Sequence, residues 1–573
     1  MVSAGLTCSA ASPLMVIRNL LYSHPIRAAG SRIGTIAPSR HKMTGLSALD
    51  WWVIGVYLTG LIGFGWWLSR SQESAEDYFL GARARGPWSI ALSILATQCS
   101  TNSILGAPAF VAFVAGGGLI WLQYELAVPL AMIVLITLVF PTLYRAGGFS
   151  IYEFLERRFD RATRVWLSGI FQVARVLAAA VTIYGVASII ALITGLTFFQ
   201  SVLIFGLVTV VYDYFGGING VIFSDVLQMT VLVTVLIWVF ATMWGGDANP
   251  FEALASSEPE RVVIIDFASH GLGDGKDFAF WPMLFGGLFL YVAYYGLDQS
   301  QAQRLLTASN EEVGKKALFL NGVLRLPLVC LYCAIGLGLA HYAAMDASFL
   351  SRLPEGASGP DFNMALPRYM IDTFAAGWLG LAMVALLAAA MSSLDSVLNA
   401  LSATTVSDFL MPSRWGKRQA GSRWIGIAKL TTLAWGLIAM VLAFWVDDIS
   451  SSILVAINKI GSLFNGPILG VFACALLTTS VTGIAVRAGL VAGFVANVCA
   501  WIYLPEVSWL WWNVLGAIVC FTTAIIGSAV ASSRSVNSVN AYSMSQTPPI
   551  AATGLSAALF AYFTLMLLLF YLM

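Results

Sequence analysis

A stripe of oxygen-bearing side chains interrupts an otherwise apolar stretch of the chain, residues 388–408. The polar residues recur at i, i+3, i+4 and i+7, the spacing of one helix face: Ser392, Asp395, Ser396 and Asn399. A carboxylate near the middle of a bilayer costs about 2.5–3.5 kcal/mol, so the stripe is expected to face protein, water or an ion. Hydroxyl and carboxylate oxygens suit hard cations. The alternative is a helix contact held together by serines.

The composition predicts an all-α integral membrane protein. Of the 573 residues, 59% are hydrophobic and only 10% are charged, and the mean hydropathy is +0.82. Globular domains carry about 25% charged residues. Apolar windows of about 20 residues predict about 14 transmembrane helices, with the basic loops on the cytoplasmic side. The lipid bilayer is therefore an expected partner, whereas nothing in the sequence indicates nucleic-acid binding.

The predicted span at residues 88–118 is too long and too interrupted for one straight helix. It contains a run of serine, threonine and asparagine followed by Gly106 and Pro108, which predicts a non-helical stretch near residues 99–107. Broken helices at membrane depth aim carbonyl oxygens and helix dipoles at ions and solutes. The alternative is a simple kink at Pro108.

Residues 1–48 differ from the rest of the chain, because they are basic and contain no acidic residue. Such a segment resembles a transit peptide, or it arises from an over-long gene start with Met43 as the first native residue. We expect this extension to be disordered or not native. Residues 49–573 are expected to form a single membrane domain.

Motifs for catalysis or for a tightly held metal are not evident. Cys330 and Cys333 imitate a C-x-x-C motif but lie in an apolar span without a second pair, and the four histidines are scattered. P-loop, H-E-x-x-H and G-x-S-x-G motifs do not occur in a fitting context. The sequence therefore predicts that the protein is not an enzyme.

Five segments, in order along the chain, resemble the sodium:solute symporter family, which includes the sodium-glucose, proline and sialic acid cotransporters. They are YFLGARARGPWSIALSILAT (78–97), IYEFLERRF (151–159), GGINGVIFSDVLQ (216–228), DQSQAQRLL (298–306) and AMSSLDSVLNALS (390–402). The resemblance implies a leucine-transporter-like fold with two inverted repeats of five helices and additional flanking helices. The core repeats would span about residues 88–244 and 278–479.

The resemblance also implies where cations bind. A sodium ion would lie between the broken helix and the serine-rich helix, held by backbone carbonyls and two hydroxyls: Ala96, Cys99, Ala389, Ser392 and Ser393. Some members have a second cation site, which here would involve Ser392 together with Asp225, Asp395 and Ser396. Two unpaired carboxylates close together cannot both ionise, so this pair favours either firmer cation binding or a shared proton.

The resemblance further implies six residues that would contact the solute. They are Ser103, Glu125, Tyr291, Tyr294, Arg325 and Asn458. A sugar or polyol would use them as hydrogen-bond partners, although Ser103 and Tyr291 depart from the sugar-transporting members. Alternatively Arg325 or Arg175 could receive a carboxylate, because a guanidinium group binds one bidentately.

Taken together, these features predict a sodium-coupled secondary active symporter in the cell membrane. It would import a small organic solute by alternating access and co-transport sodium, the solute being a sugar or polyol or a small organic anion. Two alternatives stay open. One is a membrane sensor built on a symporter domain, which would need a fused signalling region; the other is proton-coupled uptake of an amino-acid-like solute.

Overall fold

The computed structural model describes residues 46–70, 72–246, 249–356, 359–446, 453–532 and 554–572. Most of the predicted N-terminal extension, including Met43, lies outside these ranges. The α-helices of the described residues, in chain order, are α1 (Ala48–Ser69), α2 (Ala75–Leu80), α3 (Pro87–Gln98), α4 (Thr101–Phe113), α5 (Ala127–Val134), α6 (Phe140–Ala146), α7 (Tyr152–Arg158), α8 (Arg161–Thr194), α9 (Phe198–Trp244), α10 (Pro250–Ser257), α11 (Gly287–Leu297), α12 (Gln299–Leu306), α13 (Glu311–Met345), α14 (Ala365–Thr373), α15 (Trp378–Thr404), α16 (Trp424–Ala443), α17 (Ile453–Leu477), α18 (Gly483–Tyr503), α19 (Trp511–Ser532) and α20 (Gly554–Leu572).

Short 3₁₀- or π-helical segments adjoin several of these elements. Leu119–Leu126 is a 3₁₀-helix, and the π-helical segments are Leu135–Val139, Pro282–Gly286 and Thr405–Leu410. The strands β1 (Glu355–Gly356) and β2 (Gly359–Pro360) form a small antiparallel pair in a loop. Among the described residues, ten helical segments are long and apolar enough to cross a membrane, and the bent pair α3–α4 makes an eleventh. The prediction of an all-α membrane protein is confirmed, and the count of about 14 helices stays a prediction.

Helix α9 is long enough for two crossings. Its 47 residues extend roughly 70 Å at 1.5 Å per residue, about twice the thickness of a hydrocarbon core. The helix is interrupted at Gly217, whose φ of 55° and ψ of −167° belong almost only to glycine. A Cβ atom at this position would lie 2.8 Å from the Tyr78 ring, so the chain also needs glycine there for close packing.

Helix α15 is the most deeply enclosed long element among the described residues. All of its residues from Ala382 to Thr404 are buried, and it packs against α1, α8 and α9. Its start is tied to the start of α1 by Asp50, whose Oδ1 accepts hydrogen bonds from the backbone N–H groups of Gly377 and Gly380 at 2.7 and 2.6 Å. Because α15 is surrounded by protein, its polar stripe does not face lipid.

The break between α3 and α4 is shorter than the sequence predicts. Only Cys99 and Ser100 leave the helical conformation, and the axes of Pro87–Gln98 and Ser103–Phe113 differ by 55°. The prediction of a non-helical stretch extending to residue 107 is therefore wrong in extent. Pro108 lies inside α4, where Gly336 of α13 approaches so closely that a Cβ atom would lie 2.9 Å from the Pro108 carbonyl oxygen. Packing of α13 thus supports a helix that the local sequence disfavours.

Candidate functional site

Two serine hydroxyls of α15 reach the last turn of α3. Ser392 Oγ lies 3.0 Å from the carbonyl oxygens of both Ala96 and Ala389. Ser393 Oγ lies 2.9 Å from the carbonyl oxygen of Thr97 and 3.2 Å from that of Ala389. Each hydroxyl has one hydrogen to donate, so it satisfies one of its two carbonyls at a time.

Four of the five residues predicted to bind sodium are thus brought together, and the fifth, Cys99, is the buried residue at which α3 ends. Carbonyl and hydroxyl oxygens with no formal charge are suitable ligands for a hard monovalent ion. The α3 carbonyls lie at a helix C-terminus, where the helix dipole favours a positive charge. The arrangement therefore offers uncharged oxygen atoms of the kind that bind a sodium ion.

A buried arginine lies beside this cluster of oxygens. Arg304 of α12 has no solvent exposure, and its Nε donates to Ser93 Oγ at 2.6 Å. Its Nη2 lies 3.1 Å from Asp225 Oδ2 and also contacts Ser396 Oγ. Arg304 lies in a basic segment between two predicted spans, where the sequence predicts a cytoplasmic loop and not a buried contact. Only the neighbouring glutamines, which are polar yet buried on α12, could have indicated that the loop enters the interior.

The surroundings of Asp225 and Asp395 therefore differ from those that the sequence predicts for a second cation site. The sequence predicts a bound cation or a shared proton between Asp225 and Asp395, whereas the structure places the guanidinium group of Arg304 against Asp225. Ser396 Oγ lies 3.2 Å from Asp395 Oδ1 and 3.2 Å from Thr97 Oγ1, so it connects the two clusters. Asp225 Oδ1 and Asp395 Oδ2 are buried and have no hydrogen-bond partner among the described residues.

Asp213 of α9 is another buried carboxylate that the sequence analysis did not identify. Neither of its oxygens has a hydrogen-bond partner among the described residues, and its side chain is fully buried. The sequence could have indicated Asp213, because an aspartate in a membrane-spanning segment is a candidate functional residue.

A cavity of about 420 Å³ adjoins the serine cluster. Its lining includes two of the predicted sodium ligands, Cys99 and Ser393. It also includes four of the predicted solute contacts: Ser103, Tyr291, Tyr294 and Arg325. Ser103 Oγ donates to the Gln98 carbonyl oxygen at 3.0 Å, across the break. A cavity of this size accommodates a small organic solute.

Arg325, which lines this cavity, forms a buried ion pair with Glu125. Arg325 Nη2 lies 2.8 Å from Glu125 Oε1, and Arg325 Nε contacts Glu125 Oε2, which makes the contact bidentate. Arg325 also donates to the hydroxyls of Tyr291 at 3.0 Å and Tyr295 at 3.2 Å. Glu125 is 1% exposed, so its carboxylate is shielded from solvent.

Arg175 and Tyr294 form a second polar group at the cavity. Arg175 Nε lies 2.5 Å from Asp298 Oδ2, and its guanidinium carbon lies 5.4 Å from the centre of the Tyr294 ring. The Tyr294 hydroxyl accepts a hydrogen bond from Gln301 at 2.9 Å, on the helix that carries Arg304. The side chain of Asn458, the remaining predicted solute contact, lies outside the described residues.

Comparison with known proteins identifies the chain's relatives. The sequence profile of the sodium:solute symporter family matches residues 78–493, which is most of the chain. The chain belongs to the sodium:solute symporter family. As a member of this family with ten candidate spans among its described residues, it is a multi-pass membrane protein.

Several curated sodium:solute symporters match along most of the chain. The sodium/iodide cotransporter of Homo sapiens is 28% identical over 465 residues, 80% of this chain and 70% of its own length. The sodium-coupled monocarboxylate transporter 1 of Xenopus laevis is 27% identical over 470 residues, 80% and 71% of the two lengths. A putative sodium-dependent multivitamin transporter of Drosophila melanogaster is 27% identical over 482 residues, 80% and 75%.

Two solved structures share the fold. A sodium-coupled sialic acid symporter in a substrate-bound outward-open state superposes with a TM-score of 0.75 at 22% identity, over 84% of this chain and 98% of that one. A nucleobase-cation-symport-1 family transporter superposes with a TM-score of 0.51 at 13% identity, over 86% and 99%. At these identities the likeness concerns the fold, which is that of membrane transporters.

Proposed function

We propose that the protein is a sodium-coupled symporter of the cell membrane that imports a small organic solute. The observation that carries this proposal is the contact between the hydroxyls of Ser392 and Ser393 and the α3 carbonyls, directly beside the cavity. An ion held there joins α15 to the broken helix, so its binding energy depends on how these two elements are arranged. A solute in the adjoining cavity would contact the same broken helix. Binding of the ion and binding of the solute would then be coupled.

We further infer that residues 88–244 and 278–479 form two inverted repeats within about 14 transmembrane helices. The break between α3 and α4 opens the first of these ranges, and α15 lies in the second. Ligand sites of inverted-repeat transporters lie where broken helices meet the other repeat, near mid-membrane. Rocking of one group of helices against the other would then expose the cavity alternately to the two sides.

The first candidate for the solute is a small organic anion. Arg325 and Arg175 both line the cavity, and a guanidinium group is well suited to a carboxylate. The relatives include transporters named for iodide and for monocarboxylates. With an anionic solute, Glu125 and the tyrosine hydroxyls hold Arg325 in position. The solute carboxylate then replaces one of those hydroxyls as a hydrogen-bond acceptor of Arg325.

A neutral hydroxylated solute is the second candidate, and one observation favours it. Arg325 and Arg175 are already paired with Glu125 and Asp298. Of the five N–H groups of Arg325, four have acceptors among the described residues. A cavity whose charges are paired in this way suits a sugar or polyol, which needs donors and acceptors but no net charge.

The experiment that tests this function is uptake into vesicles that contain the purified protein. An inward sodium gradient is compared with an equal potassium gradient and with a pH gradient alone, using a radiolabelled short monocarboxylate, iodide and a hexose in parallel. We expect accumulation of the monocarboxylate with sodium only. Accumulation of the hexose would select the second candidate, and uptake driven by the pH gradient alone would indicate proton coupling. Sodium-dependent uptake of iodide alone would contradict an organic solute, and no sodium-dependent uptake of any of the three would count against the proposal.

A further inference from the structure

The connection between α15 and α16 carries a strongly basic surface, which we call the Trp415 loop (residues 411–423). Both of its ends join helical segments that are long and apolar enough to span a membrane, so the loop lies at a membrane surface. No acidic residue occurs between Asp408 and Asp447. Four basic side chains of the loop are exposed: Arg414, Lys417, Arg418 and Arg423. The Trp415 loop therefore presents a positive potential to its surroundings.

The four cations of the Trp415 loop form no ion pair among the described residues. Arg423 donates a hydrogen bond to the side chain of Gln419, which belongs to the same loop, at 3.2 Å. Asp408, the nearest carboxylate along the chain, is buried and pairs with Arg164 at 2.7 Å. Carboxylates within reach of the chain thus leave the positive charge of the Trp415 loop uncompensated.

This loop differs from other basic segments that the sequence places on the cytoplasmic side. An excess of lysine and arginine is common on that side of membrane proteins, so the charge alone carries no further meaning. Arg145 and Lys315, however, each lie 2.8 Å from a carboxylate oxygen of Glu311. Cations there are bound within the protein, whereas those of the Trp415 loop are available to an external partner.

Trp415 adds an apolar ring to this basic surface. It is 51% exposed, and its ring lies 6.1 Å from that of Trp424 at an angle of 83°. Tryptophan is enriched where a membrane meets water, because its ring suits the level of the lipid headgroups. An exposed tryptophan among cations therefore matches a phospholipid surface, which offers both apolar chains and negative charge.

The backbone of the Trp415 loop is folded against the end of the preceding span. Gly416–Arg418 and Gly421–Arg423 are 3₁₀ turns. The Gly416 N–H donates to Ser413 Oγ at 2.9 Å, and the Leu410 carbonyl oxygen is so close to Gly416 that a Cβ atom would not fit. Because the backbone is already ordered, less conformational entropy is lost when the basic side chains bind a partner.

We propose that the Trp415 loop is an interaction surface for anionic phospholipids of the adjoining leaflet. Its cations contact the headgroup phosphates, and the Trp415 ring lies at the level of the headgroups. Charge complementarity selects anionic lipids over neutral ones. The lipid surface is independent of the transported solute and of the coupling ion, so it can be tested without transport.

The test is equilibrium binding of radiolabelled dioleoyl phosphatidylglycerol and dioleoyl phosphatidylcholine to the purified protein in micelles of a neutral detergent. We expect the parent to bind phosphatidylglycerol about tenfold more tightly or better, because several cations act together near one surface. Raising sodium chloride from about 0.05 M to about 0.5 M should reduce this preference, since salt screens exposed charges.

Two double variants that remove equal charge locate the effect. Lys417→Gln with Arg418→Gln should weaken binding of phosphatidylglycerol about tenfold and leave that of phosphatidylcholine unchanged. Both side chains are exposed, so their replacement should not prevent folding. The matched control is Arg145→Gln with Lys315→Gln, which should bind both lipids as the parent does.

Three results would overturn the proposal. Equal affinity of the parent for the two lipids would do so without any variant, and would leave the loop to a soluble acidic partner. Equal weakening by the two double variants would show that net charge, and not the Trp415 loop, selects the lipid. Displacement of phosphatidylglycerol by inorganic phosphate, but not by chloride at equal ionic strength, would indicate a phosphate site in place of a lipid surface.

Discussion

The hydroxyl of Ser393 lies 2.9 Å from the carbonyl oxygen of Thr97, across the contact between α15 and the broken helix. Ser396, one turn further along α15, lies 3.2 Å from the Thr97 hydroxyl and contacts Arg304. One residue of the broken helix therefore touches both oxygen clusters. This relationship explains how an ion at one cluster and a buried ion pair at the other can influence the same two helices.

Loss of either Glu125 or Arg325 alone should destabilise the protein more than loss of both. Removing one partner leaves an uncompensated buried charge, which typically costs about 3–5 kcal/mol. We expect Arg325→Met to lower the melting temperature of the purified protein strongly, and Glu125→Gln with Arg325→Met to recover much of that loss. Thermal unfolding in detergent measures both, and a double variant no more stable than Arg325→Met would contradict the assignment.

Arg325→Lys should separate position from charge. Lysine keeps the positive charge but loses the planar fork that binds Glu125 at two oxygens. We expect the solute concentration for half-maximal uptake to rise about tenfold, while the sodium concentration for half-maximal uptake changes little. An equal shift in both values would mean that Arg325 acts on the whole fold and not on the solute cavity.

Gly217 should tolerate no side chain. Its positive φ and the 2.8 Å approach of the Tyr78 ring predict that Gly217→Ala costs about 1–3 kcal/mol or more. The matched control is Gly169→Ala in α8, where a Cβ atom would meet nothing within 4 Å. That change should be neutral or slightly stabilising. Comparing the melting temperatures of the two variants with the parent checks both expectations.

The two aspartates of α9 should differ in how their neutralisation affects stability. Asp225→Asn weakens a charge-assisted contact with Arg304, so it should lower stability. Asp213 has no hydrogen-bond partner among the described residues, so Asp213→Asn removes a carboxylate that is costly to bury and should leave stability unchanged or raised. Equal destabilisation by both changes, measured as melting temperature, would show that Asp213 has a contact of similar weight.

The serine stripe and the break near Cys99 could be predicted because each contradicts the apolar composition around it. Polar side chains inside a membrane span are costly unless they contact protein, water or an ion. Helical spacing alone shows that these side chains share one face. The membrane class followed from composition in the same way. These predictions depend on local sequence, which is why they could be made without coordinates.

The burial of Arg304 could not be predicted in this way. A basic residue in a short segment between two spans is typical of a cytoplasmic loop, and only the packing of α12 against α3 and α15 brings it inside. The length of the break was overestimated for a related reason. Local sequence disfavours a helix at Gly106 and Pro108, but contact with α13 outweighs that preference.

The most direct test of the account is the sodium dependence of thermal stability for Ser392→Ala and Ser393→Ala. A bound ion stabilises the folded protein, so the melting temperature rises with sodium and gives a half-saturating concentration. A ligand to a charged group contributes about 1.5–3 kcal/mol, and 1.4 kcal/mol corresponds to tenfold, so each variant should need roughly tenfold more sodium or more. The control is Ser188→Ala, which should match the parent, because among the described residues the Ser188 hydroxyl bonds the Tyr184 carbonyl oxygen of its own helix. If both variants keep the parent's half-saturating concentration, sodium does not bind between α15 and the broken helix.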